Sequence, residues 1–232
     1  MQPYSGTVLV AGATGRTGRE ILKRLQHYGV SFRLYVRSAD KLKELFGNAI
    51  ADFVRIGSLE DEEALKSALD GCDAIISAIG SNPADPTAPP PSAIDRDGVM
   101  RLAAIAESRG LKKFVLLSSL GATKPDHPLN KYGQVLRMKL EGENEVRRLF
   151  GSENRSYTII RPGGLLNTPP FMHRLLAATG DSISGSVSRG DVAEVAALSL
   201  WNDGARNRTF ELIEEMEEQQ ESLISVFDML DK

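Results

Sequence analysis

The chain has 232 residues, 28 Lys plus Arg against 31 Asp plus Glu, and a formal net charge of -3. At roughly 150 residues per domain this length favours one large unit over two, and it buries enough surface to fold without disulfide or metal staples. The near-balanced charge excludes nucleic-acid binding by bulk electrostatics, a lone cysteine, Cys72, excludes an intrachain disulfide framework, and no run reaches the roughly 18 apolar residues that a membrane helix needs.

The predicted elements alternate. Residues 7–11 (TVLVA) form a short apolar strand, followed by glycines and a helix with its stripe at Ile21, Leu22 and Leu25, closed by Gly29. Segment 31–38 is the second strand, 40–46 a short helix closed by Gly47, and 51–57 the third strand. Ser58-x-x-Asp61 reads as a capping box for a helix through Leu65 and Leu69. Segment 73–80 is a fourth strand, apolar enough to be buried on both faces. A stiff surface loop follows, with five prolines between Pro83 and Pro91. Then come a helix over 97–109, a strand over 113–120, a long helical region over 129–150, a strand over 157–162 and a short helix over 171–178. Ser188-x-x-Asp191 caps a further helix, 209–213 is a last strand, and Leu223, Ile224, Phe227 and Leu230 mark one face of a C-terminal docking helix around 221–231. The segment from Glu211 to Glu221 holds six glutamates and no base. It reads as a solvated turn and helix start, or as an interaction surface for a basic protein partner.

Strands alternating with helices of this length predict an α/β fold, a doubly wound, mostly parallel Rossmann-like sheet with helices on both faces. Such a sheet places its ligand crevice at the carboxyl ends of the strands, where their order reverses. One unit over 1–232 is expected, with a small lid around 166–187 on the side of that crevice. The first fifteen residues carry no basic region before their apolar run, so no secretory signal is expected. A reducing setting, cytoplasm or organelle stroma, is the corresponding expectation.

Gly12-Ala-Thr-Gly15-Arg-Thr-Gly18 lies directly between the first strand and the first helix. In that context Gly12 permits a tight turn, Gly15 admits a pyrophosphate close to the main chain, and Gly18 lets the helix pack on the sheet. The helix N-terminus adds free N–H groups and a positive dipole end. No Gly-Lys-Ser/Thr closes the loop, so it is not a P-loop. At the end of the second strand, where an acid usually binds the ribose diol in NAD sites, stand Arg37 and Ser38, with Asp40 slightly later. Arg16 and Arg37 both suit a 2′-phosphate, favouring NADP(H) over NAD(H). The three histidines are far apart in sequence from one another and from the cysteine, so no metal site is predicted.

The segments 8–18 (VLVAGATGRTG), 36–38 (VRS), 73–80 (DAIISAIG), 114–122 (FVLLSSLGA), 157–165 (YTIIRPGGL) and 188–195 (SRGDVAEV) jointly resemble the atypical short-chain dehydrogenase/reductase family of NAD(P)H-binding proteins. The similarity is greatest to the group that includes flavin/biliverdin reductase-like and plastid or cyanobacterial members. The resemblance implies that Gly12, Thr14, Gly15, Arg16, Thr17 and Gly18 cradle a pyrophosphate and that Arg37 and Ser38 take the adenosine phosphate. It further implies that Ala78, Ile79 and Gly80 line the cofactor, that Ser118 and Ser119 end a strand beside the nicotinamide, and that Pro162, Gly163, Gly164 and Leu165 wall its amide.

The wider family pairs a tyrosine with a lysine four residues later, but Tyr132 is followed at that spacing by Leu136. Lys139 with Glu143 matches instead the Lys-x-x-x-Glu of atypical members, which makes Lys139 a candidate ribose contact. Ser118 orients an acceptor or caps a strand. Tyr132 is a displaced proton donor or a surface tyrosine, and His127, in a loop able to face the cleft, is catalytic or structural. Hydride transfer to a conjugated acceptor needs little beyond placement, since the cofactor carries the hard step. Two functions therefore stand: an NADP(H)-dependent reductase of a small planar acceptor such as a flavin or quinone, without membrane insertion, and a non-catalytic NADP(H)-binding sensor or assembly protein.

Overall fold

The computed structural model describes residues 4–46, 53–82, 85, 87–218 and 225–231. Its centre is an eight-stranded sheet in the order β3-β2-β1-β4-β5-β6-β10-β8. The strands are β1 (Val8–Ala11), β2 (Phe32–Val36), β3 (Val54–Ile56), β4 (Ala74–Ser77), β5 (Lys113–Leu117), β6 (Ser156–Pro162), β8 (His173–Ala178) and β10 (Arg208–Glu218). All pair in parallel except β8, which runs antiparallel to β10 at the edge. A separate parallel pair joins β7 (Gly164–Leu166) to β9 (Ser186–Ser188).

The period-two alternation of side chains decides the layering. Val8, Val10, Ala74, Ile76, Val115 and Leu117 enter one apolar cluster. Their neighbours Leu9, Ala11, Ile75, Phe114 and Leu116 enter another on the opposite face. Near-continuous apolar strands are what a sheet covered on both faces requires. The first cluster is closed by α1 (Arg16–His27) through Ile21, Leu22 and Leu25, by α6 (Arg189–Leu198), and by Val226 and Phe227 of α7 (Ser225–Asp228). The second is closed by α3 (Glu62–Leu69), α4 (Val99–Ser108) and α5 (Val135–Phe150), through residues such as Leu65, Leu102 and Val146. Between them lies α2 (Ala39–Phe46) in chain order, after β2. Each fully buried large side chain contributes about 1.5–3 kcal/mol. The strand order reverses between β1 and β4, so a crevice opens at their carboxyl ends.

Four expectations are corrected. Residues 171–178 are not a helix: β8 pairs with β10, and Leu175 and Ala177 turn inward while Arg174 is exposed. Adjacent leucines fit a helical stripe, and tertiary pairing overrides that local preference. The helix-capping residue of α3 is Asp61, whose side chain accepts from the Ala64 N–H, while Ser58 serves Glu60 instead. The long region over 129–150 is broken: a 3-10 turn (Pro128–Lys131) ends at Gly133 (φ 65) and Gln134 (φ 57), both left-handed. Finally, the acidic segment is no solvated turn through residue 218, but the second half of β10. There Glu211 is fully buried, and a Glu214 carboxylate oxygen accepts from the Ser188 N–H. The expectations for Gly47, Glu221, Leu223 and Ile224 fall outside the described residues.

Ser188 does cap α6, its side chain accepting from the Asp191 N–H. Phe227 and Leu230 are buried against the sheet, so the described end of the chain docks. Cys72 is buried, its thiol pushed up by burial and turned to the Ala68 carbonyl, which marks it as structural.

Candidate functional site

The glycine turn leaves β1 with Gly12 at φ 85, where a Cβ would stand 2.6 Å from the Ala78 carbonyl oxygen. At Gly18 a Cβ would stand 2.2 Å from the Gly12 oxygen, so the first turn of α1 can press on the loop only without a side chain there. Gly15 begins the helix with no side-chain cap, and the first turn carries no acidic residue. Its amides are therefore free for an anion at the positive end of the helix.

That turn is one wall of a cleft of about 370 Å³. Gly12, Thr14 and Gly15 face Tyr35, Arg37 and Gly57 on one side and the Ala78–Gly80 segment on the other. Tyr35 donates to the Ser58 carbonyl at 2.7 Å. Burial, helped by Asp61, pushes its phenol up to about 12, so it stays a donor at any working pH. A Cβ on Gly57 would stand 2.3 Å from that hydroxyl, so glycine there makes room for the wall. Arg37 and Ser38 are exposed at this end, and Arg37 has no carboxylate partner among the described residues. Arg33, by contrast, is spent on the Ala68 and Asp70 carbonyls. A glycine-lined turn, uncapped amides and a guanidinium without a carboxylate partner among the described residues fit the diphosphate and adenosine ends of a dinucleotide.

Beside the Ala78–Gly80 wall lies a separate small recess that shares Ile79 with the cleft and is lined also by Asp95, Ser118 and Lys139. Ser118 follows β5 and Lys139 lies on α5, so the fold brings together two predicted residues 21 positions apart. The Ser118 hydroxyl donates to Glu143 Oε1 at 2.5 Å. Glu143 is fully buried and is held by both Arg161 (Nη2 to Oε2, 2.7 Å; Nε to Oε1, 3.0 Å) and Arg147 (2.6 Å). Arg161 reaches on to Glu211 at 3.3 Å, and Glu211 Oε2 accepts from the Asp181 N–H. Asp181 in turn accepts from the N–H groups of Gly121 and Thr123. Burial and then the charge of Asp181 push the Glu211 carboxyl above its usual range, against the pull of Arg161. For Asp181 burial acts upward, but the bonds from Thr123 and Gly121 and the charge of Arg161 outweigh it and the carboxyl sits low. A chain of buried charges thus locks the strand ends beneath the recess.

The segment after β6 exposes apolar side chains. Leu165, Leu166, Phe171 and Met172 are all exposed. Arg189 braces this segment by donating to the Leu165 carbonyl and the Asn167 side chain. Phe171, at φ 66, is held by its N–H on Asp191 and by Arg24 over its ring at 5.4 Å.

The other predicted residues fall as follows. Ser119 donates to the Leu120 carbonyl. Pro162 ends β6 and is buried, while Gly163 and Gly164 lead into β7, a Cβ on Gly163 standing 2.3 Å from the Gly185 oxygen. Arg16 is exposed, and Thr17 is half-buried in α1. Neither His127 nor Tyr132 lines the cleft or the recess. His127 Nδ1 accepts from the Leu129 N–H as a turn cap, and Tyr132 is 41% exposed under the Lys131 ammonium. Sequence reasoning missed Asp95, Ser81, Arg161 and Glu211. A buried charge inside an apolar strand was the available signal for Arg161. No cluster of three or more His, Cys, Asp or Glu among the described residues is arranged for a metal, and none of their helices is long and apolar enough to cross a membrane.

The NAD(P)H-binding family model matches residues 12–203. An uncharacterized chloroplastic protein of Arabidopsis thaliana is 32% identical over 231 residues, covering 95% of this chain and 81% of its own length. Sanguinarine reductase of Eschscholzia californica is 29% identical, with 89% and 88% covered. The structure of a putative NAD-dependent epimerase/dehydratase from Bacillus halodurans superposes with a TM-score of 0.80 at 27% identity, covering 97% of this chain and all of that one.

Proposed function

Because this chain belongs to the NAD(P)H-binding family, we propose that it is an NADP(H)-dependent reductase that passes a hydride to a small planar acceptor of the flavin or quinone kind. The preference for the phosphorylated cofactor rests on one observation: the end of β2 presents the exposed Arg37, with no carboxylate partner among the described residues, where a ribose-binding acid would repel the extra phosphate. In this reading Gly12, Thr14, Gly15, Arg16, Thr17 and Gly18 hold the diphosphate, Arg37 and Ser38 the 2′-phosphate, and Ala78, Ile79 and Gly80 the floor. Ser118, Ser119, Lys139 and the 162–165 segment surround the nicotinamide end.

Bound NADPH supplies the hydride. The protein's part is placement. The Ser118 hydrogen is committed to a carboxylate that two arginines hold, so Ser118 offers lone pairs and orients an N–H group rather than giving up a proton. Tyr132 sits away from the recess and His127 is occupied as a cap. A conjugated acceptor, whose reduced form delocalises charge and takes its proton from water, suits a cleft and recess lined by no tyrosine or histidine placed to donate among the described residues. In this reading the exposed apolar side chains of Leu165, Leu166, Phe171 and Met172 meet a flat, greasy ring. We place the chain in a soluble, reducing compartment, with one NAD(P)-binding unit and the 166–187 segment bounding the acceptor. The chloroplastic relative and the buried Cys72 support that setting.

The same lack of a proton donor supports a second reading, a cofactor-binding protein that senses NADP(H) without turnover. Following nicotinamide absorbance with NADPH and a panel of flavins, quinones and aldehydes separates them. Turnover of a flavin or quinone, with aldehydes inert, is expected. Tight NADPH binding with no turnover anywhere on the panel overturns the reductase and leaves the sensor.

A further inference from the structure

Asp95 is 1% exposed and spends its whole carboxylate at the recess beside the cleft. Oδ1 accepts from Lys139 Nζ at 2.7 Å, while Oδ2 accepts from the hydroxyl and the N–H of Ser81, in the loop after β4. Lys139 is itself only 17% exposed in its side chain. Its ammonium lies 3.7 Å from where a Cβ of Gly80 would stand, so it rests on the cleft floor.

The backbone is built to make this contact. Asp95 belongs to a π-helical turn (Ser92–Gly98) at the head of α4, and such turns recur at functional sites because they re-aim side chains. The Asp95 carbonyl oxygen would be 2.5 Å from a Cβ at position 142, so Gly142 is what lets α5 nest against the turn. The start of α5 is fixed by Asn130, whose Oδ1 accepts from the N–H groups of Leu136 and Arg137. Lys139 follows one turn later. A free lysine has four flexible carbons and no preferred direction. This one is aimed from both sides.

We infer that Asp95 is a positioning residue: it holds the Lys139 ammonium against the cleft floor, in line with the nicotinamide-side ribose of a bound dinucleotide. Two of the three ammonium hydrogens remain for ribose hydroxyls. The paired aspartate also balances the lysine's charge, so Lys139 binds and orients instead of acidifying a neighbouring phenol. That is why the site works without a tyrosine four residues before a lysine. The inference rests on the cofactor reading above and deepens it.

The test is equilibrium binding, read by NADPH fluorescence, for wild type, Asp95→Asn, Lys139→Gln and the double variant. Adenosine 2′,5′-bisphosphate, which keeps the adenosine end and lacks the nicotinamide ribose, is the control ligand. Lys139→Gln and Asp95→Asn are each expected to weaken NADPH about tenfold or more, as for loss of a charge-assisted bond. The double variant is expected to be no weaker than Lys139→Gln alone, with bisphosphate affinity unchanged throughout. Ser81→Ala, a milder cut at the other anchor, is expected to give a smaller loss that vanishes in the Lys139→Gln background, and it serves if Asp95→Asn does not fold. Losses that multiply in the double variant, or a matching fall in bisphosphate affinity, overturn the inference in favour of a merely structural ion pair. Unchanged NADPH affinity in Lys139→Gln overturns it too, leaving the glycine turn's role intact. Wild type that binds bisphosphate and NADPH equally well likewise overturns it, whereas wild type that binds neither sinks the cofactor reading itself.

Discussion

The two ends of the candidate site are built on opposite principles. The glycine-turn end is made of missing side chains: Gly12, Gly15 and Gly18 leave room at the main chain, and the cations beside them, Arg16 and Arg37, are exposed. The Ser118 end is made of a buried polar network, from Ser118 to Glu143 to Arg161 to Glu211 to Asp181, each satisfied by the next. The first end holds its charge-binding capacity open for a ligand. The second has consumed its own charges to become rigid. Substitutions at the glycine turn should therefore act on affinity, and substitutions within the Glu143–Arg161–Glu211 network on stability.

The largest effect is expected from Arg161→Met. It leaves Glu143 and Glu211 buried with lost partners, and removing one member of a buried pair costs about 3–5 kcal/mol. Urea unfolding monitored by circular dichroism should show that loss. A change under about 1 kcal/mol would mean that the buried network does not hold the strand ends together.

Gly15→Ala probes the opposite end. Gly15 has φ -71, a backbone that alanine adopts without strain, and a Cβ there would meet one atom, the Gly12 oxygen at 3.1 Å, which needs to give by only a few tenths of an ångström. Stability should move by less than about 0.5 kcal/mol, while the new methyl group obstructs the face of the helix amides and NADPH affinity falls about tenfold. Calorimetric titration beside a thermal melt reads both. If stability falls and affinity does not, the contrast between the ends is wrong.

How legible each end is in the sequence follows from the same contrast. Gly12, Gly15 and Gly18 lie within seven residues, between a strand and a helix whose patterns are local, so the turn reads directly. The partners of the buried network lie far apart: Ser118 from Glu143 by 25 positions, Arg161 from Glu211 by 50, Lys139 from Asp95 by 44. No local pattern announces them. Glu211 and Glu214 look like a solvated acidic run because their destinations, Arg161 and the Ser188 amide, come from other strands. The β8 segment misleads for a related reason, since only β10 beside it reveals a period of two. The alternation of strands and helices is robust to such local ambiguity because it is repeated along the chain, and the sheet order follows from it.

A smaller effect belongs to the floor of β5, far from either end. Lys113 is 6% exposed, and among the described residues its ammonium bonds only the Thr158 hydroxyl. Burial, then the nearby charge of Arg206, lowers its amine to about 7 from 10.5. In the folded protein it is therefore mostly neutral above pH 7, while the unfolded chain stays protonated. Unfolding takes up a proton in that window, so this residue makes stability rise between pH 7 and 9.5 and adds no further slope well below 7. Lys113→Met should flatten the rise in melting temperature across that window and raise stability at pH 7. An identical slope in both proteins would show that the amine is charged in the fold.

The most direct test is a parallel calorimetric titration of wild type and Arg37→Glu with NADPH and NADH. The expected result is NADPH bound at least about tenfold more tightly than NADH by wild type, with that preference lost in Arg37→Glu while NADH affinity holds. Binding of neither cofactor at millimolar concentration, or an unchanged preference in Arg37→Glu, would contradict the assignment of the cleft and of the arginine at its adenosine end.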